Sequence, residues 1–261
     1  MITASSHKES GRHRGRKIHV QLALEYKRDK NGQRRGGKRT GAGRKPRVPG
    51  RSSSSHKRRP EVDRRHPQHV TLRVVGAVGY LRKPHLFRAI RRALVSVIER
   101  HDFGIVHVSV QGNHLHLMCE AENRDALASG LKAFQCSAAQ HLNQEVSRER
   151  RTVRRGQVFA DRYHVRPISS VRQLRHSLNY VLNNWRHHGG RGPSLFDGKL
   201  DPYSSAVWFP GWKERTTQDI HIPPDYEPPT VSRPRTWLAA EGWKRARPIS
   251  VFEVPGESTR A

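Results

Sequence analysis

Two histidines separated by one residue are the first candidates for chemistry in this sequence. His114 and His116 alternate with the apolar residues Leu115, Leu117 and Cys119. Because side chains alternate between the faces of a strand, both imidazoles should project from one face and the apolar side chains from the other. Neutral imidazoles bind borderline divalent metals, and two of them with one oxygen ligand leave positions open for a phosphate oxygen. In a chain with 17 histidines this pair alone is a weak signal.

A tyrosine in the last predicted helix strengthens the signal. Residues 170–189 repeat apolar residues at helical spacing, and Tyr180 lies well off that apolar stripe. On the same polar face, Asn184 follows one turn later. A tyrosine and an amide at this spacing can act on one substrate together. Alternatively, Tyr180 has only a structural role, and its ring covers the edge of the domain.

These side chains require a sheet and a helix to position them. The periodic segments predict strands over residues 69–76, 104–110, 113–119 and 157–168, and helices over residues 84–100, from the N-cap Asn123 onward, and over 170–189. The order β, α, β, β, α, β, α predicts an α+β fold. It matches a ferredoxin-like split βαβ antiparallel sheet with helices on one face and an additional helix after the last strand. The other face of the sheet is expected to stay free for a site.

The combination of a His-Leu-His strand with a later tyrosine helix resembles a known family. His114, Leu115 and His116, followed by Tyr180 and Asn184, resemble the single-tyrosine HUH transposases of bacterial insertion sequences, the IS200-like group. The form is closest to their REP-associated relatives, and the resemblance extends over residues 69–189. It implies an HUH endonuclease-like domain. Many members carry glutamine where this chain has Asn184, and both side chains offer a carbonyl oxygen.

The resemblance also implies a role for each of these residues. His114 and His116 would bind Mg²⁺ or Mn²⁺, with Asn184 completing the protein ligands. Tyr180 would attack a phosphate of single-stranded or hairpin DNA, forming a 5′-phosphotyrosine link and a free 3′-hydroxyl that can later rejoin strands. A phenol is a poor nucleophile at neutral pH, and a nearby cation favours its phenolate and polarises the phosphate. The expected function is a metal-dependent DNA nickase and strand transferase, a transposase.

The charge of the chain also predicts a nucleic-acid partner. The formal net charge is +28, from 50 Lys and Arg against 22 Asp and Glu, and a polyanion is the natural partner of such an excess. Basic stretches lack the wide apolar face of a membrane-binding helix, and no apolar run is long enough to span a bilayer. Two cysteines form neither a disulfide framework nor a thiolate cluster. A cytoplasmic, nucleoid-associated protein is expected.

Two groups of basic residues are candidates for contact with DNA. Residues 1–66 are predicted to be a disordered basic arm. Within it, Arg44, Lys45 and Arg47 stand among Gly and Pro, which suits a minor groove or phosphates, although a solubilising tail fits equally well.

The second group lies in the last predicted strand. Arg162, His164 and Arg166 alternate at strand spacing and predict a row that follows phosphates beside the site. A solvated edge strand explains the same pattern equally well.

Residues 67–190 are predicted to form the catalytic domain and residues 191–261 a C-terminal extension. The aromatic residues 200–212 are typical of a segment that packs on a parent domain or binds a ligand. Residues 220–235 are rich in Pro and predict a linker, and residues 236–247 predict a short amphipathic helix.

Three other functions fit part of the sequence. An HUH replication initiator or relaxase would share the chemistry, but such proteins usually carry further domains for which few residues remain here. A domesticated transposase that only binds DNA hairpins would share the fold. A ribosomal or RNA-binding protein would explain the charge but not the coincidence of His, Tyr and Asn. A homodimer and a monomer both remain open.

Overall fold

The computed structural model describes residues 60–188, 200–216 and 227–256. Arg44, Lys45 and Arg47 therefore lie outside the described residues. The described elements are β1 (Gln68–Arg73), α1 (Pro84–Val95), β2 (Phe103–Val110), β3 (His114–Ala121), α2 (Arg124–Arg150), β4 (His164–Pro167), α3 (Val171–His188) and α4 (Trp237–Ala240), with short 3-10 turns between some of them. The predicted order of strands and helices is confirmed up to the end of α3.

The four strands form one antiparallel sheet in the order β2-β3-β1-β4. This is the strand order of a ferredoxin-like sheet, so the predicted α+β fold is confirmed. Strand β1 lies between β3 and β4, and Thr71 stands directly opposite His116 in β3 and His164 in β4. Residues far apart in the sequence are thereby brought to one patch of the sheet.

Helices α1 and α2 cover one face of the sheet and form its first core. Leu72, Leu115 and Leu117 point from the strands into this core, where Leu131 and Phe134 of α2 pack against them. The stripe that the sequence predicted for α2 is buried as expected, and burying side chains of this size supplies about 2 kcal/mol each.

Two local features fix the position of α2. The side chain of Asn123 accepts hydrogen bonds from the backbone N–H groups of Asp125 and Ala126, as expected of the predicted N-cap. Farther along, Gly130 lets the helix approach the sheet closely. A Cβ atom there would lie 2.2 Å from Cγ of Phe103, so only glycine fits without repacking.

Several predicted boundaries were wrong. The last strand covers only His164–Pro167, because residues 157–163 run as loop with a single bridge from Phe159 to Val74. Helix α1 ends at Val95, five residues earlier than predicted. The helix predicted over 236–247 is divided into α4 and a 3-10 turn over Gly242–Arg245.

The sequence predicted that the second face of the sheet stays free. The structure covers part of this face. A second core forms where Met118 of β3 meets Leu174 and Leu178 of α3, together with Phe209 and Trp212 from the C-terminal extension. These residues cover the face over β2 and β3. The part over β1 and β4 stays accessible and contains a cavity.

The Pro-rich segment is not a linker where the structure describes it. The N–H of Ser232 donates to the carbonyl oxygen of Ile105 in β2. Next to it, the buried carboxylate of Glu120 accepts hydrogen bonds from the backbone N–H groups of Arg235 and Thr236 and from the Thr236 hydroxyl. Hydrogen bonds therefore hold the segment along the edge of the sheet.

Another carboxylate fastens the end of the extension to α3. Glu253 accepts hydrogen bonds from both terminal nitrogens of Arg175, at 2.8 and 2.6 Å, and from the amide of Asn179 at 2.9 Å. Both partners of this ion pair are largely buried. A bidentate pair in a shielded position resists rotation of α3 about its axis.

Within the described ranges, no helix is long and apolar enough to cross a bilayer.

We expect Glu253→Ala to lower the free energy of unfolding by about 3 kcal/mol, because the substitution leaves the Arg175 charge without its buried partner. The matched control is Glu241→Ala, which breaks the exposed pair with Lys244 in the same extension and should cost under about 1 kcal/mol. Urea unfolding followed by circular dichroism measures both. Equal losses would contradict a stabilising role for the Glu253 pair.

Candidate active site

Strand β3 places the imidazoles of His114 and His116 side by side on the second face of the sheet. Their Nε2 atoms are 2.9 Å apart. The Nδ1 of His114 lies 2.8 Å from Oδ1 of Asn113, and the Nδ1 of His116 lies 3.3 Å from Oγ1 of Thr71. If each Nδ1–H donates to its oxygen, both rings present Nε2 as the atom that can bind an electrophile.

The spacing of the two Nε2 atoms fits one divalent cation. Imidazole nitrogen binds such ions at about 2.1 Å, so two adjacent ligands at a right angle stand about 3 Å apart. Within the described residues no group of three His, Cys, Asp or Glu has metal-binding geometry.

Helix α3 places Tyr180 next to this pair. The ring of Tyr180 lies 4.9 Å from that of His116, measured between centroids, in an edge-on arrangement. Its side chain is 39% exposed, as expected for a residue off the apolar stripe of the helix. The phenol is thus accessible to a substrate while its ring contacts an imidazole of the pair.

The accessible part of the sheet face forms a cavity of about 560 Å³ between β1, β4 and α3. Tyr180 and His116 line it together with His164 and Arg166 of β4. Arg162, the third residue of the predicted basic row, is exposed in the loop before β4 and is not among the lining residues. The structure therefore brings two of these three basic residues to the cavity.

Asn184 does not share the polar face of Tyr180. Its side chain is 1% exposed and is not among the residues that line the cavity. Four residues advance a helix by about 40° beyond a full turn, and this rotation turns Asn184 toward the buried side of α3. The described residues offer no hydrogen-bond partner to its buried Nδ2 atom.

His69 is a residue of the site that sequence reasoning missed. Its Nε2 lies 3.3 Å from Nδ1 of His116, and its ring contacts that of Tyr180 at 5.6 Å. Burial, together with the positive charges of Arg166 and His164, lowers the pKa of His69 to about 4. His69 is therefore neutral at pH 7. A neutral ring beside His116 adds no positive charge that would repel a cation bound there.

A signal for His69 was present in the sequence. His69 and Thr71 alternate with Val70 and Leu72, which marks them as the residues on the non-core face of β1. The pattern does not show which strand pairs with β1. Only the pairing of β1 with β3 brings His69 and Thr71 to His116.

Comparison with known proteins gives a family for this domain. No curated protein sequence matches the chain. Among solved structures, the chain is similar to that of a REP-associated tyrosine transposase bound to a REP hairpin, with 16% identity and a TM-score of 0.46 over 66% of this chain and 93% of that one. The profile of the family described as "Transposase IS200 like" matches residues 68–184, from the first residue of β1 to Asn184 in α3. By that match residues 68–184 form a domain of the IS200-like transposase family.

Proposed function

We propose that this transposase nicks and rejoins single-stranded DNA through a covalent bond to Tyr180. The observation that carries the proposal is the contact between the accessible Tyr180 ring and His116, 4.9 Å apart, where Nε2 of His116 is 2.9 Å from Nε2 of His114. A phenol beside two nitrogens that can bind one cation suits metal-assisted phosphoryl transfer to a tyrosine.

The proposed reaction exchanges one phosphodiester for another. The Oη atom of Tyr180 forms a bond to a phosphorus of the DNA as the bond from that phosphorus to the 3′-oxygen breaks. The phenolic proton passes to water, and the departing 3′-oxygen takes a proton to become a hydroxyl. The number of phosphodiester bonds is unchanged, so the 3′-hydroxyl of the same or another strand can reverse the step. This reversibility suits strand transfer, whereas hydrolysis would be irreversible.

We propose that His114 and His116 hold Mg²⁺ or Mn²⁺ and that Asn184 supplies a third ligand. When bound, the cation withdraws charge from the phosphate and favours the phenolate. The spacing of the two imidazoles supports this assignment. Asn184 is buried and does not line the cavity, so it would contact the ion from the packed side of α3.

The proposed partner is single-stranded DNA beside a hairpin, as the resemblance implies. His164 and Arg166 at the cavity support this part of the proposal, since their positions suit contact with the phosphates next to the scissile one. Arg162 lies in the adjoining loop and would extend the row. Arm residues Arg44, Lys45 and Arg47 remain predicted DNA contacts, and a monomer or a homodimer remains open.

One observation favours a second candidate function, a transposase relative that binds hairpin DNA without cutting it. Asn184 is buried and does not line the cavity, so its side chain is not presented to a ligand bound there. The two candidates differ in one measurable property. A covalent protein–DNA adduct forms in the first and not in the second.

We expect Tyr180→Phe to reduce formation of a covalent adduct by at least about 10³-fold, because phenylalanine has no nucleophile. The matched control is Tyr80→Phe, which removes the hydroxyl of an exposed tyrosine that does not line the cavity. Labelled single-stranded oligonucleotides with hairpins from the flanks of the gene, incubated with Mn²⁺ or EDTA, are analysed on denaturing protein gels. Tight binding with no adduct under any metal would favour the non-catalytic candidate.

We expect His114→Ala to weaken Mn²⁺ binding by at least about tenfold, because it removes one of two adjacent nitrogen ligands. Titration calorimetry on the protein without DNA measures this directly. His101→Ala removes an exposed histidine outside the cavity and should leave the affinity unchanged. If both variants bind Mn²⁺ as tightly as the parent, the assignment of the pair as a metal site is wrong.

We expect Asn184→Leu to raise the free energy of unfolding by about 1 kcal/mol, since it removes a buried amide nitrogen to which the described residues offer no partner and keeps a similar shape. The same variant should lose adduct formation if Asn184 is a ligand. Asn183→Leu is the control, because the Asn183 amide donates to Asn179 and Ser250 and its loss should destabilise the protein. Full adduct formation by Asn184→Leu would exclude Asn184 from the metal site.

A further inference from the structure

A second cavity lies on the opposite side of α3 from the candidate active site. Leu178 lines this second cavity, whereas its neighbour Ser177 lines the first. The volume is about 610 Å³, and the walls come from the sheet, α3 and the C-terminal extension. Cavities of this size accept ligands as large as a nucleotide. The described function gives this second cavity no role.

Flat apolar side chains form much of its wall. Trp208, Phe209 and Trp243 line it, with prolines such as Pro229 between them. Trp208 is 53% exposed, yet its indole is fixed because Nε1 donates to the carbonyl oxygen of Pro229 at 2.9 Å. An accessible aromatic ring with a fixed orientation is a surface on which another flat ring can stack with little loss of side-chain entropy.

The polar side chains that line the cavity include that of His107. Its Nδ1 lies 3.2 Å from Oγ of Ser205, which fixes the ring. Burial lowers the pKa of His107 to about 4, so the imidazole is neutral at pH 7. A neutral imidazole has one donor and one acceptor nitrogen and can bond to the polar edge of a heterocycle.

Cationic side chains surround a smaller cavity next to it. This cavity, of about 290 Å³, shares Leu178, Phe209 and Trp243 with the larger one. Its remaining lining includes the basic residues Lys213, Lys244 and Arg247. An apolar, aromatic cavity adjoining a basic one matches the two halves of a nucleotide, a flat base and an anionic phosphate.

We propose that the second cavity binds one unstacked base of single-stranded DNA, with Trp208 as the stacking surface and the basic residues of the neighbouring cavity close to the adjoining phosphate. This inference rests on the proposed function in so far as DNA is the substrate. It gives the C-terminal extension a binding role on the side of α3 that does not contain Tyr180. An apolar peptide or small molecule would fill the aromatic part but would make no use of the neighbouring cations.

The test measures binding separately from cleavage. In the Tyr180→Phe background, affinity for a fluorescent single-stranded oligonucleotide is measured by anisotropy for the parent and for Trp208→Ala, Trp208→Phe and Trp237→Ala. We expect Trp208→Ala to weaken binding about 5- to 100-fold, the loss expected for one stacked base. Trp208→Phe keeps a ring and should recover most of the affinity. Trp237 is 49% exposed in the same extension but does not line the cavity, so Trp237→Ala should have no effect.

A photocrosslink identifies the contact directly. With 5-iododeoxyuridine in the oligonucleotide, we expect the crosslinked peptide to contain Trp208. Unchanged affinity of Trp208→Ala, an equal loss in Trp237→Ala, or absence of single-strand binding by the Tyr180→Phe protein would each overturn the proposal. If the protein with Tyr180 forms no adduct while the Trp208 effect is present, the proposed catalysis fails and the base-binding cavity stands.

Discussion

The site depends on the alternation of side chains in β1 and β3 and on the register that joins these strands. Val70 and Leu117 point to one face and pack under the helices, so Thr71 and His116, one residue along each strand, must point to the other. A slip of one residue would move the imidazoles into the apolar core and the leucines into the cavity. The first core therefore fixes the position of the histidines before any ligand is present. A wrong register would expose the apolar side chains of that core and lose the free energy of their burial.

The distance between Tyr180 and the histidine pair depends on a second set of contacts. Helix α3 rests on the sheet through Leu174 and Leu178, and the C-terminal extension packs against the same helix. The pair between Glu253 and Arg175 adds a directional contact, since a bidentate carboxylate allows little rotation of the helix. The extension therefore helps to position Tyr180.

The sequence predicted the elements that have long periodic patterns and clear ends. It did not predict contacts between distant residues or the exact direction of a helical side chain. Helix α2 has a capping residue, Asn123, and a regular apolar stripe, so its start and its buried face could be predicted. The extension has no such period. Its contacts join Glu120 to backbone groups more than a hundred residues away, and only the folded chain brings these together. Asn184 was assigned to the face of Tyr180 because four residues nearly complete a turn. The remaining rotation is enough to bury it.

The charges around the candidate active site explain how one surface can select both a cation and an anion. Among the described residues that line the cavity there is no carboxylate, and the charged side chain, Arg166, is positive. His69 is neutral because burial and nearby positive charge oppose its protonation. In the proposed site the protein ligands would all be neutral, so they would leave the charge of a bound cation uncompensated. A phosphate would then supply the missing negative charge. Metal and DNA should therefore bind more tightly together than either does alone, which limits phosphoryl transfer to the complex that holds both.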